Sequence, residues 1–206
     1  MARGKAKAKS KSKSKGRTRS SSARSSAGRT ARSRGGNDAI ALLKADHRQV
    51  EQWFAQFEKA RDDQRKQELA TSICNALKVH TMIEEEIFYP AFLEAAQDED
   101  IHHEAIVEHD GAKKLIAEIE ASGPDDDFFD ARVSVLSEMI KHHVKEEEQP
   151  GGMFAEARKA DMDLKALGEQ LAARKAELEG EMGAASGMPA AARKSRNGGS
   201  RGLQTH

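Results

Sequence analysis

The sequence has little of what disulfide-bonded, membrane-spanning or β-sheet proteins need. Its 206 residues include one cysteine, Cys74, which excludes an internal disulfide and a cysteine-ligated metal cluster. No apolar run approaches the ~18 residues of a membrane-spanning helix, and the N-terminus lacks the apolar stretch of a secretory signal. Clusters of β-branched residues are also few. We therefore expect a helical, cytoplasmic protein with no membrane partner.

Acidic residues are absent from both ends of the chain. Residues 1–37 hold 13 Lys and Arg and no Asp or Glu, and residues 184–206 hold 4 Lys and Arg, again without acids. The central residues 38–183 keep 17 basic residues against all 34 acidic ones. An acidic body favours hard cations as ligands, whereas basic ends favour a polyanionic partner.

The basic arm, residues 1–37, has no apolar side chain beyond Met1 except alanine. Such a segment cannot bury enough apolar surface to offset the entropy of folding, so we predict that it is disordered. The tail at 183–206 has a similar composition and is also predicted to be flexible. The arm is either a solubilising linker or a segment that binds nucleic acid non-specifically through counterion release.

Apolar residues between the two ends recur at the spacing of amphipathic helices. Short connections between four of these helices predict an all-α, antiparallel up-down four-helix bundle over residues 38–155. A further helix at 156–182 either packs alongside the bundle or mediates self-association through its leucines. The predicted helices cover about 38–60, 64–97 with a kink at Pro90, 100–121, 124–149 and 153–180.

Histidine and glutamate interrupt the apolar faces of these helices. The second helix carries His80 and Glu84, and the fourth repeats the spacing with His143 and Glu147. A separation of four residues puts both side chains on one helix face, so each helix offers two ligands to one site. The first and third helices each add one histidine. The candidate metal ligands are therefore His47, His80, Glu84, His109, His143 and Glu147.

These side chains also lie at one depth of the predicted bundle. His47 lies about 15 residues before the first turn and His80 about 17 after it, nearly level at ~1.5 Å per residue. Two unpaired buried carboxylates would each cost several kcal/mol, and bound cations are the simplest compensation. Mixed histidine and carboxylate ligands without thiolate in a four-helix bundle favour two iron ions, with manganese as the alternative.

The chain resembles the hemerythrin HHE cation-binding domain in four segments that follow one another in the family's order. These segments are DHRQVEQWFAQFE (46–58), HTMIEEEIFYPAF (80–92), EHDGAKKLIAEIE (108–120) and HHVKEEE (142–148). The resemblance covers roughly residues 38–155 and implies a hemerythrin-like bundle with a non-haem di-iron centre. It implies that all six candidate residues ligate iron, with Glu84 and Glu147 as the bridging carboxylates.

The chain departs from the oxygen carriers of this family on the third and fourth helices. The carriers place two histidines four apart on the third helix, whereas the neighbours of His109 at that spacing are Ala105 and Lys113. Their second bridging carboxylate is an Asp five residues after the last histidine, but here Glu147 follows His143 by four. Reversible O2 transport alone is therefore a poor description of this chain.

Two choices among ligands stay open. The position of the missing histidine is either open or taken by water or by another carboxylate such as Glu104. His142 with Glu146 has the same spacing as His143 with Glu147. We prefer the second pair because His143 continues the apolar face of its helix.

The resemblance implies that the chain binds or senses O2, NO or iron at a di-iron centre. The alternative is a di-iron enzyme of oxidative-stress defence that decomposes peroxide or oxidises Fe(II), associated with DNA through the basic arm. The missing histidine favours access of exogenous ligands to the metal. It does not choose between sensing and turnover.

Overall fold

The structure is a computed structural model that describes residues 38–185 of the chain. The described residues are helical almost throughout and contain no strand. The helices are α1 (Ala39–Lys59), α2 (Asp63–Ile83), a π-helical turn (Glu84–Phe88), α3 (Tyr89–Ala96), α4 (Glu99–Glu120), α5 (Phe129–Glu148), α6 (Met153–Lys159) and α7 (Leu164–Ala185).

Aspartates start four of these helices. Asp38 precedes α1, and its Oδ1 accepts a hydrogen bond from the backbone N–H of Ala41 at 2.7 Å. The same arrangement begins α2, α4 and α7, with Asp62, Asp98 and Asp163 as the capping residues. Each cap satisfies a backbone donor that no helical carbonyl reaches, which stabilises a helix by about 1 kcal/mol.

The second predicted helix widens just before the expected kink. α2 and α3 join through the π-helical turn, where the N–H of Tyr89 donates to the carbonyl of Glu84, five residues back. Pro90 has no N–H, and its ring would clash with the carbonyl four residues earlier in a regular α-helix. The wide turn absorbs this misfit, so a π-helical turn replaces the simple kink that we predicted at Pro90.

Helices α1, α2, α4 and α5 form the predicted four-helix bundle. α1 packs against α2 and α5, and α4 packs against the same two helices. Short connections make successive helices antiparallel. α5 begins at Phe129 rather than near residue 124, because Asp126 accepts from the backbone N–H of Phe128 and holds a turn before the helix. The all-α bundle predicted from the sequence is confirmed.

The C-terminal part forms two helices instead of the single predicted one. Asp161 lies between α6 and α7 and has a φ of 56°, a left-handed conformation that ends the first helix. α7 then lies against α1, α2 and the π-helical turn, with Leu171 and Leu178 buried. Of the two alternatives for this segment, packing alongside the bundle is the one that the structure shows.

Two apolar clusters fill the interior, towards opposite ends of the bundle. One joins the start of α1 to the π-helical turn, α6 and α7, and includes Phe88 and Phe154. The other joins the second half of α1 to the first half of α2 and the start of α5, and includes Phe57 and Phe129. Buried polar side chains occupy the layer between the two clusters.

Residues 1–37 and 186–206 lie outside the described residues. The predicted disorder of the basic arm and of most of the tail therefore concerns residues that the structure does not describe. Residues 183–185, which their composition placed in the tail, belong to α7. No helix among residues 38–185 is both long and apolar enough to cross a membrane.

Candidate metal centre

The structure brings all six predicted ligand residues into one buried layer at the middle of the bundle. All six residues are buried, and the most accessible of them, His47 and His80, are each 5% exposed. α1 supplies His47, α2 supplies His80, the π-helical turn begins with Glu84, α4 supplies His109, and α5 supplies His143 and Glu147.

Four of these side chains form a first group. The ligand atoms of His47, His80, Glu84 and Glu147 all lie within 4.8 Å of one another. The Nε2 atoms of His47 and His80 are 3.0 Å apart. An oxygen of Glu147 lies 3.3 Å from Nε2 of His47, and an oxygen of Glu84 lies 3.3 Å from Nε2 of His80. The spacing suits a single metal ion held by two imidazoles and two carboxylates.

A second group contains Glu84 again, with His109 and His143. The Nε2 atoms of the two histidines are 3.2 Å apart, and Nε2 of His109 lies 3.4 Å from Glu84 Oε2. Glu84 therefore belongs to both groups. Glu147 lies 3.7 Å from Nε2 of His143 and so also lies between the groups.

The outer nitrogens of the four imidazoles face a ring of carboxylates, in which each acid comes from the neighbouring helix. Glu148 on α5 lies 2.9 Å from Nδ1 of His47, and Asp46 on α1 lies 3.6 Å from Nδ1 of His80. The ring continues with Glu85 at 2.9 Å from His109 and Glu108 at 2.8 Å from His143. Each acid immediately precedes or follows a ligand residue in the sequence. The carboxylate ring consists of Asp46, Glu85, Glu108 and Glu148.

Every acid of the carboxylate ring also pairs with a basic side chain. Lys44 and Arg48 contact Glu148, and Lys113 contacts Glu85. Lys175 of α7 contacts Asp46, and His142 contacts Glu108 at 3.2 Å. These pairs hold the carboxylates in place behind the imidazoles. Such partners fix the tautomer and the orientation of a metal-ligating histidine.

Three acids of the ring fix which nitrogen of His47, His109 and His143 faces the centre, whereas Nδ1 of His80 lies 3.6 Å from Asp46 and makes no hydrogen bond. An imidazole that donates its Nδ1–H to a carboxylate presents the lone pair of Nε2 inwards. Two pairs of Nε2 atoms face each other at 3.0 and 3.2 Å, which is repulsive for two lone pairs unless a cation lies beside them. Oε1 of Glu84 is buried without a hydrogen-bond partner. A bound metal ion would offset the repulsion between the facing Nε2 atoms and give Oε1 of Glu84 a partner. The residues present therefore fit a metal centre.

Contacts between the buried imidazoles and carboxylates shift the pKa values of His47 and Glu84. Burial alone would lower the pKa of His47, but hydrogen bonds to Glu147 and Glu148 outweigh it and raise the pKa to about 9. Burial alone would raise the pKa of Glu84, but the imidazoles of His80 and His109 hold it below its usual range. The protonated form of His47 is therefore favoured beside the ionised Glu84.

Tyr89 joins the centre, although the sequence did not identify it as a site residue. Its hydroxyl lies 3.1 Å from Nε2 of His109, 3.3 Å from Glu147 and 3.5 Å from Glu84. The side chain is fully buried. Burial and the two carboxylates raise the pKa of Tyr89 well above its usual value, so the hydroxyl keeps its proton. The hydroxyl thus lies beside His109 of the second group and within reach of both glutamates.

The structure separates the alternatives that the sequence left open on α4 and α5. His143 is 4% exposed and belongs to the second group, whereas the side chain of His142 is 59% exposed and contacts only the outer acid Glu108. Glu104 is exposed and belongs to neither group. The geometry therefore brings His143 and Glu147 into the centre and leaves His142, Glu146 and Glu104 outside it.

The inner imidazoles border a small cavity whose lining does not include Tyr89. The cavity of about 10 Å³ is lined by all four imidazoles, by the apolar side chains Val50, Leu77, Ile140 and Val144, and by Asp46 and Thr81. Cavities of about 160 and 230 Å³ adjoin the same region, and both share Ile140 with the inner cavity. Their walls include the exposed residues His142 and Lys141. The imidazoles also border these two outer cavities directly, His109 and His143 the first and His47 the second.

A four-helix bundle with two groups of buried histidine and glutamate ligands defines a class, the cation-binding helical bundles. Residues 38–150 match the family described as the hemerythrin HHE cation binding domain. The match covers more than half of the chain, and the chain belongs to this family.

Two known proteins are similar to parts of the chain. A protein of Nostoc sp. (strain PCC 7120) described as a DNA nickase is 30% identical over 107 residues, which are 52% of this chain and 30% of that protein. The chain thus matches less than a third of this relative's length. A crystal structure of a hemerythrin HHE cation binding domain-containing protein from Mycobacterium kansasii has a TM-score of 0.59 and 21% identity, covering 70% of this chain and 88% of that one. The similarity to this structure supports the helical-bundle fold of the chain.

Proposed function

We propose that the chain holds two iron ions, one in each ligand group, and binds O2 or NO there. The observation that carries this proposal is that Glu84 belongs to both groups. A carboxylate shared by two groups of imidazoles is the ligand arrangement of di-iron bundles, with manganese as the alternative metal. When bound, the iron pair supplies the electrons that make O2 or NO a ligand. We also propose that the protein works in the cytoplasm.

The residues around the inner cavity favour a small uncharged ligand. Beside the imidazoles, Asp46 and Thr81, the cavity is lined by the apolar side chains Val50, Leu77, Ile140 and Val144. These four side chains offer no hydrogen-bond donor to the inner nitrogens. Diatomic molecules pass such side chains more easily than ions, because an ion loses its hydration without compensation. O2 and NO fit this description.

Peroxide decomposition is a second candidate, and the position of Tyr89 favours it. A neutral hydroxyl within hydrogen-bond reach of Glu84, Glu147 and His109 is a proton donor beside the place where an oxygen ligand would lie. A carrier or sensor needs no such donor, whereas cleavage of an O–O bond consumes protons. Oxidation of Fe(II) is the further enzymatic alternative.

Anaerobic purification followed by metal analysis and optical spectra tests these proposals. We expect about two irons per chain, as for other di-iron bundles. A band that appears with O2 and disappears when O2 is removed supports binding or sensing. Continuous consumption of added peroxide, with the protein unchanged at the end, supports the enzyme. A constant content of one zinc per chain would contradict the di-iron proposal.

The basic arm supports a separate proposal about nucleic acid. Residues 1–37 carry 13 basic side chains and no acid, and one relative is described as a DNA nickase. We expect the full chain to bind duplex DNA with little sequence preference and with an affinity that falls steeply with salt. Anisotropy titrations at low and high salt compare the full chain with one that begins at residue 38. No binding of the full chain at low salt would leave the arm as a linker.

A further inference from the structure

Helix α6 lies beyond the family match at 38–150 and contacts a ligand of the first group directly. The ring of Phe154 stacks on the imidazole of His47, with centroids 5.9 Å apart and an interplanar angle of 11°. Phe154 is 1% exposed, and the ammonium of Lys44 lies 5.8 Å from its ring centroid. α6 therefore restricts the plane in which His47 can lie.

Helix α7 reaches a second ligand of the first group through Asp46. The ammonium of Lys175 pairs with one oxygen of Asp46, and the other oxygen lies 3.6 Å from Nδ1 of His80. Leu171 and Leu178 flank Lys175 on the same helix face and are buried, so the lysine is fixed by the packing of α7. Asp46 faces the buried imidazole on one side and the lysine on the other.

The preceding residue on α7 holds the segment that presents a third ligand. Nε and Nη2 of Arg174 donate to the two oxygens of Glu86 at 2.7 and 3.2 Å. Glu86 belongs to the π-helical turn that begins with Glu84. A bidentate pair fixes the geometry of the turn more tightly than a single contact.

The acids behind the second group take their partners from elsewhere in the bundle. Glu85 pairs with Lys113 of α4, and Glu108 pairs with His142 of α5. Three contacts from residues 153–185 thus reach His47, Asp46 behind His80, and the turn that carries Glu84. His47, His80 and Glu84 all belong to the first group, and Glu84 also belongs to the second.

We infer that the C-terminal segment, residues 153–185, sets how tightly the first group holds its metal, with Lys175 as a positioning residue that acts through Asp46 on His80. The inference rests on the proposed occupation of both groups by metal. Loss of a partner behind a ligating histidine weakens metal binding by about 10- to 100-fold in other proteins. Substitution of Lys175 should leave the second group unaffected, because the acids behind His109 and His143 pair with Lys113 and His142 instead.

Release of iron to a chelator tests this inference. The wild-type chain and the variants Lys175→Met, Lys175→Arg and Lys165→Met are loaded with Fe(II) without oxygen and mixed with ferrozine. We expect Lys175→Met to lose one of its two irons about 10-fold faster than the wild type and the other at the wild-type rate. Lys175→Arg keeps the charge and should restore slow release.

Lys165→Met is the matched control, since Lys165 lies on the same helix, is 82% exposed and pairs only with Glu169. It should behave like the wild type. If Lys175→Met releases both irons at wild-type rates, or accelerates both equally, the inference is wrong. The accelerated iron is assigned by repeating the comparison in a His109→Ala background, where metal remains in the first group. The iron content of the wild type, measured first, tests the proposed function separately.

Discussion

The two ligand groups share Glu84 but differ in number of ligands and in surroundings. The first has four candidate ligands and contacts α6 and α7. The second has three candidate ligands, with the hydroxyl of Tyr89 beside it. Cavities border both groups, one of about 230 Å³ at His47 and one of about 160 Å³ at His109 and His143. Fewer protein ligands leave more positions for an exogenous molecule. We therefore expect the first group to retain its metal and the second to exchange ligands.

Removing Glu84 should have the largest effect, because it belongs to both groups. We expect Glu84→Ala to lose nearly all bound iron by metal analysis, while its helical content stays close to the wild type. Glu94→Ala is the control, since Glu94 is exposed on α3. Two irons in Glu84→Ala would show that the two groups are independent and that the shared position is not a bridge.

Variants of single histidines should separate the two groups. His109→Ala leaves only Glu84 and His143 in the second group, and we expect about one iron per chain. His47→Ala leaves His80, Glu84 and Glu147 in the first group. We therefore expect this variant to bind two irons but to release the iron of the first group faster than the wild type. Equal loss from both variants in equilibrium dialysis would contradict the difference between the groups.

The metal-free chain should lose stability as the pH rises. The pKa of His47 is raised from 6.5 to about 9, so its contribution is fully present below pH 6.5 and is lost as the pH rises through about 9. Over that range the loss is on the order of 3 kcal/mol. Urea unfolding of the metal-free chain at both ends of the range measures it.

Bound metal should reverse the direction of this pH dependence. Metal must displace the proton of His47, so metal affinity should increase over the same range. Equal stability of the metal-free chain at both pH values would show that His47 keeps its ordinary pKa.

Removing the hydroxyl of Tyr89 should leave iron content unchanged. Tyr89→Phe keeps the buried ring but loses the donor near His109, Glu84 and Glu147. If the chain decomposes peroxide, the rate should fall by about 10²-fold or more, as for loss of a proton donor. Phe92→Leu controls for packing, because Phe92 is buried in the same apolar cluster. An unchanged peroxide rate with unchanged iron content would assign Tyr89 a packing role only.

The six central residues could be found from the sequence because helix periodicity acts over the whole length of each helix. Four-residue spacing places His80 with Glu84 and His143 with Glu147, and distances from the turns place them at one depth. Small errors in helix ends, such as the late start of α5 at Phe129, do not change which face a residue occupies. The structure brings the six together; that they ligate iron stays a prediction.

Tyr89 could not be found in this way, because the π-helical turn changes the periodicity. In a regular α-helix a residue five positions after Glu84 lies about 140° around the axis. The wide turn brings Tyr89 back to the side of Glu84, and its N–H bonds to the carbonyl of that residue. Pro90 was the available signal, since its missing N–H requires an irregular turn upstream.

The acids of the carboxylate ring lie next to candidate ligand residues in the sequence, but helix periodicity alone did not identify them as partners of the histidines. Asp46 precedes His47, Glu85 follows Glu84, Glu108 precedes His109, and Glu148 follows Glu147. What the sequence alone does not give is the partner of each acid. The partner of each acid depends on which helices are neighbours and on the order in which the helices follow one another around the bundle.

Every acid of the carboxylate ring contacts the histidine of the next helix. The ring therefore constrains the axial position of each helix relative to its neighbours. Sliding one helix along its axis by a single turn, about 5.4 Å, would displace its own ligand and also its acid from the neighbour's imidazole. Such a shift would therefore break contacts at two helix interfaces. The contacts of the ring link all four helices of the bundle. Misaligned bundles with equally good apolar packing are disfavoured in this way, so the polar layer selects one alignment of the four helices.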